Sequence, residues 1–199
     1  MARVDLDNPE EAKRLPALRK EPAVLGVRLN IAGELAKHFA DGKYDWFWPE
    51  AAKNNLPVMF LTTGQTPLFA PIAEKNPGLK LIIDHMGVSS AAVQNNIVGA
   101  TVEQSASLAK YPNVSVKLSA APLFSKDPYP FLDVRDHIKR LFDAYGPRRC
   151  HWGTDITNSF AKATMKQRIT HFTEELPFLS EDDKDWIMGK SILEKLKWA

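Results

Sequence analysis

Asp84-His85 follows the apolar run Leu79-Lys80-Leu81-Ile82-Ile83, and Thr154-Asp155 follows Arg149-Cys150-His151-Trp152-Gly153. Imidazole and carboxylate are the side chains that most often move protons in catalysis, and both also bind metal ions. In parallel α/β architectures, side chains at the carboxyl ends of strands face the ligand. Arg28, Gln65, and Lys117 with Ser119 occupy other strand ends in the same way. A histidine and an aspartate delivered like this indicate chemistry. The elements must place them.

Five short apolar segments read as strands: Val24–Leu29, Pro57–Thr62, Leu79–Asp84, Val114–Leu118 and Cys150–Thr154. They show little alternation, as strands covered on both faces should. Helical patterns lie between them. Asn8-Pro9-Glu10-Glu11 offers an N-cap, a first-turn proline and first-turn acids. Thr101-Val102-Glu103-Gln104 has capping-box spacing. Val134, Ile138, Leu141, Phe142 and Tyr145 make one apolar helical face. Two further helices are expected at 162–175 and 180–197, separated by Pro177, with box spacing from Ser180 to Asp183. The β–α alternation predicts a parallel sheet in one domain spanning residues 1–199.

No G-x-G-x-x-G turn follows the first strand, so a dinucleotide-binding open sheet is disfavoured. Isolated functional side chains, one per strand end, favour a barrel. A closed (β/α)8 barrel usually takes ~250 residues, whereas 199 residues here supply five strands and the tail of another at Arg3-Val4-Asp5. The expectation is an N-terminally incomplete barrel, its remaining strands lying before Met1. Such an open sheet should be weakly stable, self-associating and inactive in isolation. Ala121–Pro130, with three prolines, reads either as a loop over the site or as an ordinary surface connection.

Composition excludes several function classes. A net charge of +2 without a basic block gives nucleic acid no electrostatic footprint. The single Cys150 rules out an internal disulfide framework and fits a reducing compartment as a buried hydrophobe. No secretory signal and no membrane-length apolar run is present, so the expected location is the cytoplasm. Tyr44, Trp46, Phe47 and Trp48 read as a core plug at a helix start. His137 and His171 lie in helical patterns as surface or packing residues, and His151 is expected to pack outward against helices.

The strings LGVRLN, LPVMFLTTGQTPLFAPIAEKNPGLKLIIDHMG, VSVKLSA, CHWGTDIT and ELPFLSEDDKDWIMGKSIL resemble the amidohydrolase-related family, the branch with pyrone-dicarboxylate and sugar lactonases. The resemblance spans essentially the entire chain. It implies an amidohydrolase-type (β/α)8 TIM barrel, here strands four to eight plus the tail of strand three. It also implies hydrolysis or decarboxylation of small acids or lactones. His85 matches the family's sixth-strand histidine and Asp155 its eighth-strand aspartate. The first-strand H-x-H pair has no counterpart, and the fifth-strand position, within Leu61-Thr62-Thr63-Gly64-Gln65, has no histidine. No cofactor is assigned. A divalent metal such as zinc is the alternative, with His85 and Asp155 as its only candidate ligands.

By analogy with the metal-free lactonases, Asp155 is the general base on water and His85 polarises the carbonyl. Arg28 and Lys117, with Gln65, would bind a small carboxylated or lactone substrate. Each residue also has a structural alternative. Asp155 could cap a helix, His85 could pair with Asp84 in the core, Arg28 could close an ion pair, and Lys117 could face a neighbouring acid. Two alternatives to the lactonase reading are a metal-dependent decarboxylase and an inactive remnant with a binding role.

Overall fold

The computed structural model describes residues 1–62 and 64–197. Five parallel strands pair in sequence order: β1 (Val27–Asn30), β2 (Val58–Leu61), β3 (Leu81–Ile83), β4 (Val114–Leu118) and β5 (Cys150–Trp152). The register puts Arg28, Met59, Ile82 and Ser115 on one face, with Lys117 paired to His151. Val27, Val58, Leu81 and Val114 occupy the other face and join the main core beneath the helices. Both faces are covered, which explains why the strands do not alternate.

The Arg28 face is covered in part by the helix expected near the end of the chain, in a position its sequence did not indicate. Residues 181–196 form one helical run with a π turn at Trp186–Lys190. Its last turn lies over the Arg28 face, where Leu196 packs with Met59 and Ile82 in a separate apolar cluster. The Lys80 ammonium donates to the Lys195 carbonyl at 2.9 Å. These contacts leave Ile82 fully buried and Met59 only 8% exposed. The expectation that apolar interior surface meets water therefore does not hold for these two side chains.

Other expectations are corrected locally. Val24 lies in a turn, donating to the Glu21 carbonyl, so β1 begins at Val27. The added parallel pairing is at Ala2, bonded to Gly26 and Arg28, rather than at Arg3-Val4-Asp5. Thr101 caps nothing: the helix runs Val98–Ser107, and the Thr101 hydroxyl donates back to the Ile97 carbonyl. Ala121–Phe124 is a short helix rather than loop. His151 does meet a helix, with Nδ1 2.7 Å from Ser191 Oγ, but from the face it shares with Lys117. The caps expected at Asn8 and Ser180 form. Tyr44, Phe47 and Trp48 are buried as a plug.

Candidate active site

β3 ends in three successive left-handed residues, His85 (φ 49°), Met86 (φ 60°) and Gly87 (φ 77°). Such backbone costs an ordinary residue about 1–2 kcal/mol. Gly87 is required for a further reason: a Cβ there would lie 2.2 Å from Ser105 Oγ, which bonds the Met86 carbonyl. This turn reverses the chain and holds the His85 ring at the strand end. Asp155, after β5, is also left-handed (φ 49°), a conformation Asp and His tolerate better than most residues.

The two side chains meet. His85 Nε2 lies 3.7 Å from Asp155 Oδ1 and 3.3 Å from Asp84 Oδ2. His85 Nδ1 is 2.7 Å from Ser119 Oγ. Asp155 stands at the start of the short helix Ile156–Ser159, yet its carboxylate caps no backbone N–H. It accepts instead from Asn158 Nδ2 at 2.8 Å. The helix-cap alternative therefore gains no bond.

Asp84 is the hub of the site. It is 1% exposed, and Arg28 donates to its Oδ2 through Nε at 2.8 Å and Nη2 at 2.7 Å. Lys117 Nζ lies 3.2 Å from its Oδ1. Burial alone would raise the Asp84 pKa. The charge that His85 carries when protonated, with those of Lys117 and Arg28, outweighs that effect and holds it below the ordinary carboxylate value, so Asp84 is ionised at pH 7. Burial lowers the His85 pKa, with Lys117 and Arg28 acting the same way against Asp84 and Asp155, so its imidazole is neutral at pH 7.

Beside these groups is a cavity of about 410 Å³, a volume suited to a small molecule. Arg28, His85 and Asp155 line it, together with Asn30, Ser89 and Asn158. Leu123 and Phe124, from the segment read either as a loop over the site or as a surface connection, form part of its apolar wall. The Ser89 hydroxyl is buried without a partner among the described residues and can bond a ligand. Sequence reasoning missed Asn30, Ser89 and Asn158. The i, i+2 spacing of Arg28 and Asn30 on one strand, and the D-x-x-N spacing of Asp155 and Asn158, were the available signals.

Arg28 thus has both of its anticipated roles, an ion pair and a place in the cavity wall. Lys117 is turned to Asp84 and is absent from that wall. Gln65 is exposed on the turn before Thr66–Phe69 and does not line the cavity; Thr63 of the same segment lies outside the described residues.

Of the residues lining the cavity, His85 and Asp155 are the ones that carry a histidine or carboxylate side chain, while the Asp84 carboxylate is taken up by Arg28 and Lys117. Among the described residues no group of three or more His, Cys, Asp or Glu side chains gathers to hold a metal ion. A catalytic divalent ion generally takes ~3 protein ligands, so these residues by themselves do not fit one. No helix among the described residues is long and apolar enough to cross a membrane.

The amidohydrolase family model matches residues 1–191. The chain belongs to the amidohydrolase family. No curated protein sequence matches it. Among solved structures, an amidohydrolase from Burkholderia multivorans with bound zinc superimposes with a TM-score of 0.83 at 19% identity, covering 98% of this chain and 71% of that one. A candidate 2-pyrone-4,6-dicarboxylic acid hydrolase from Pseudomonas putida gives 0.72 at 17% identity, covering 96% and 78%. The 5-carboxyvanillate decarboxylase of Sphingomonas paucimobilis gives 0.68 at 12% identity, covering 99% and 66%. The five parallel strands of this amidohydrolase are an incomplete (β/α)8 barrel, as the sequence led us to expect.

Proposed function

We propose that this amidohydrolase hydrolyses a small lactone or a related carboxylated substrate. The observation that carries the reading is the 3.7 Å approach of His85 Nε2 to Asp155 Oδ1 at the cavity wall, beside Arg28. Asp155 takes a proton from water, and the resulting hydroxide adds to the lactone carbonyl. His85 donates a hydrogen bond from Nε2 to the oxygen as negative charge develops there. Collapse of the tetrahedral intermediate breaks the ring C–O bond, and Asp155 returns its proton to the leaving oxygen.

Arg28 presents the N–H groups that Asp84 does not engage to a substrate carboxylate, supported by Asn30 and the Ser89 hydroxyl. Lys117 acts on that pocket through Asp84. A neutral His85 suits this chemistry, because a donor to the carbonyl need not be charged. The single buried Cys150 is consistent with a reducing cytoplasmic setting.

The test is ring opening of 2-pyrone-4,6-dicarboxylate, followed by loss of its ultraviolet absorbance, with Asp155→Asn as control. Turnover that disappears in the variant supports the reading. The likeness to a decarboxylase favours a second reading, decarboxylation of an aromatic acid. Release of CO2 from 5-carboxyvanillate without lactone opening would select it. Binding of both acids without turnover would instead leave an inactive protein with a binding role.

A further inference from the structure

Lys117 and Ser119 stand two apart at the end of β4 and grip the adjacent pair Asp84-His85 of β3. Lys117 reaches Asp84 Oδ1 at 3.2 Å, and Ser119 Oγ lies 2.7 Å from His85 Nδ1. Ser119 is 1% exposed and His85 7%. We propose that Ser119 is a positioning residue: by donating its hydroxyl hydrogen to Nδ1, it fixes His85 as the Nε2–H tautomer. His85 is thereby a hydrogen-bond donor to substrate, and the work of general base falls to Asp155.

Neutral imidazole has one N–H and one lone pair. Nε2 faces two carboxylate oxygens, Asp84 Oδ2 at 3.3 Å and Asp155 Oδ1 at 3.7 Å. A lone pair on Nε2 would point at both, with no hydrogen between like-signed atoms. The hydrogen therefore belongs on Nε2, which leaves Nδ1 as the acceptor. The hydroxyl 2.7 Å away must then be the donor. A carboxylate or carbonyl on Nδ1 would impose the opposite tautomer and make the ring a base.

The local backbone is shaped around this contact. Ala120, immediately after Ser119, is left-handed (φ 66°) and turns the chain out of β4. On the neighbouring strand, a Cβ on Gly153 would lie 2.5 Å from Lys117 Cε and 3.2 Å from Ser119 Cβ. The glycine in WGTD makes room for both β4 side chains.

The kinetic part of the inference rests on the proposed lactonase reading, whereas the tautomer does not. The experiment is 15N NMR of histidine-labelled protein at neutral pH, with His85 assigned by comparison with His85→Asn. Nε2 should give the signal of a protonated ring nitrogen. Nδ1 should give that of an unprotonated one, displaced by an accepted hydrogen bond, and Ser119→Ala should abolish the displacement. A hydrogen found on Nδ1 would overturn the inference, whatever the activity. On 2-pyrone-4,6-dicarboxylate, Ser119→Ala should lower kcat about tenfold, typical for a residue that orients a functional histidine, with KM nearly unchanged. A wild-type kcat in that variant would also overturn it. If the wild type leaves this lactone intact, the lactonase reading fails while the NMR result still decides the tautomer.

Discussion

Arg28 Nε and Nη2 both bond one oxygen of Asp84, Oδ2, across 56 positions of sequence and two strand interfaces. The pairing is side-on, so part of the guanidinium fork remains available to the cavity. Asp84→Asn removes the charge that Arg28 and Lys117 share. Breaking a buried pair costs about 3–5 kcal/mol, and the partial exposure of both cations reduces this to about 2–3 kcal/mol. Urea denaturation of Asp84→Asn checks the figure. A loss below about 1 kcal/mol would show that Arg28 and Lys117 find other partners.

With the barrel complete, Asp155→Asn should lower turnover by at least about a thousandfold with little change in KM, because the amide keeps the shape and loses the base. Asparagine also tolerates the left-handed backbone at this position. Because the carboxylate caps no backbone N–H, stability should change by less than about 1 kcal/mol. Paired kinetics and melts on one preparation separate the two effects. A large stability loss with turnover intact would return Asp155 to a structural role.

Much of the scaffold was legible because strand and helix periods are local properties. All five strands overlap the apolar runs that predicted them, β1 starting at Val27 rather than Val24, and His85 and Asp155 meet because both follow strand ends. Asp84 was visible only as a neighbour of His85. Its role as hub depends on Arg28 and Lys117, which long-range register brings in. The Thr101 box misled because capping spacing is indifferent to whether the helix has already begun; here it starts at Val98. Gln65 shared the strand-end signature, but the turn leaves it exposed outside the cavity wall. The cover that residues 191–196 give to Met59 and Ile82 is a tertiary contact with no local signature.

Gly87→Ala should destabilise the protein by about 2–3 kcal/mol. A left-handed alanine costs about 1–2 kcal/mol, and displacing the Ser105 hydroxyl from the Met86 carbonyl adds about 1 kcal/mol. Because His85 is two residues away, turnover should also fall. Adding Ser105→Ala should relieve the 2.2 Å contact and recover part of the stability, but not the backbone cost. Urea midpoints of the single and double variants measure both parts. Equal midpoints would show that the clash contributes nothing.

Acid should weaken the fold before the carboxylates titrate. Burial lowers the His151 pKa from 6.5 to about 3, with Lys195 adding to the effect. It lowers His171 from 6.5 to about 4, with Arg135 adding. In each ring Nε2 is buried without a partner among the described residues, so protonation would leave an unpaired charge inside. Both groups are neutral when folded and take up protons below about pH 6.5 when unfolded. Their contribution is therefore complete above that pH and is lost as pH falls toward 4 and then 3. By pH 5 each should cost about 2 kcal/mol. Urea denaturation at pH 7.5 and 5 tests the sum, to which the lowered His85 adds in the same direction, and His171→Gln should remove about 2 kcal/mol of the difference. A flat profile between these pH values would refute the assignment.

Self-association should proceed through the exposed apolar side chains of the helices that follow β5, not through the Met59 and Ile82 face. Among the described residues β5 pairs with no strand but β4, and the Ser191 hydroxyl donates to the Cys150 carbonyl at 2.7 Å. After β5 in the chain, Phe160 is 77% exposed, with Met165 and Ile169 also exposed. Met59 and Ile82, by contrast, lie beneath Leu196. Phe160→Ser should shift size-exclusion profiles toward monomer while leaving the melt nearly unchanged, because an exposed ring contributes little to the fold. Leu196→Asp should act in the opposite direction. It uncovers apolar side chains that each contribute about 1.5–3 kcal/mol when buried, lowers the melting temperature and promotes larger assemblies. If Phe160→Ser leaves the elution profile unchanged across a hundredfold range of concentration, the apolar surface of the helices that follow β5 is not the contact.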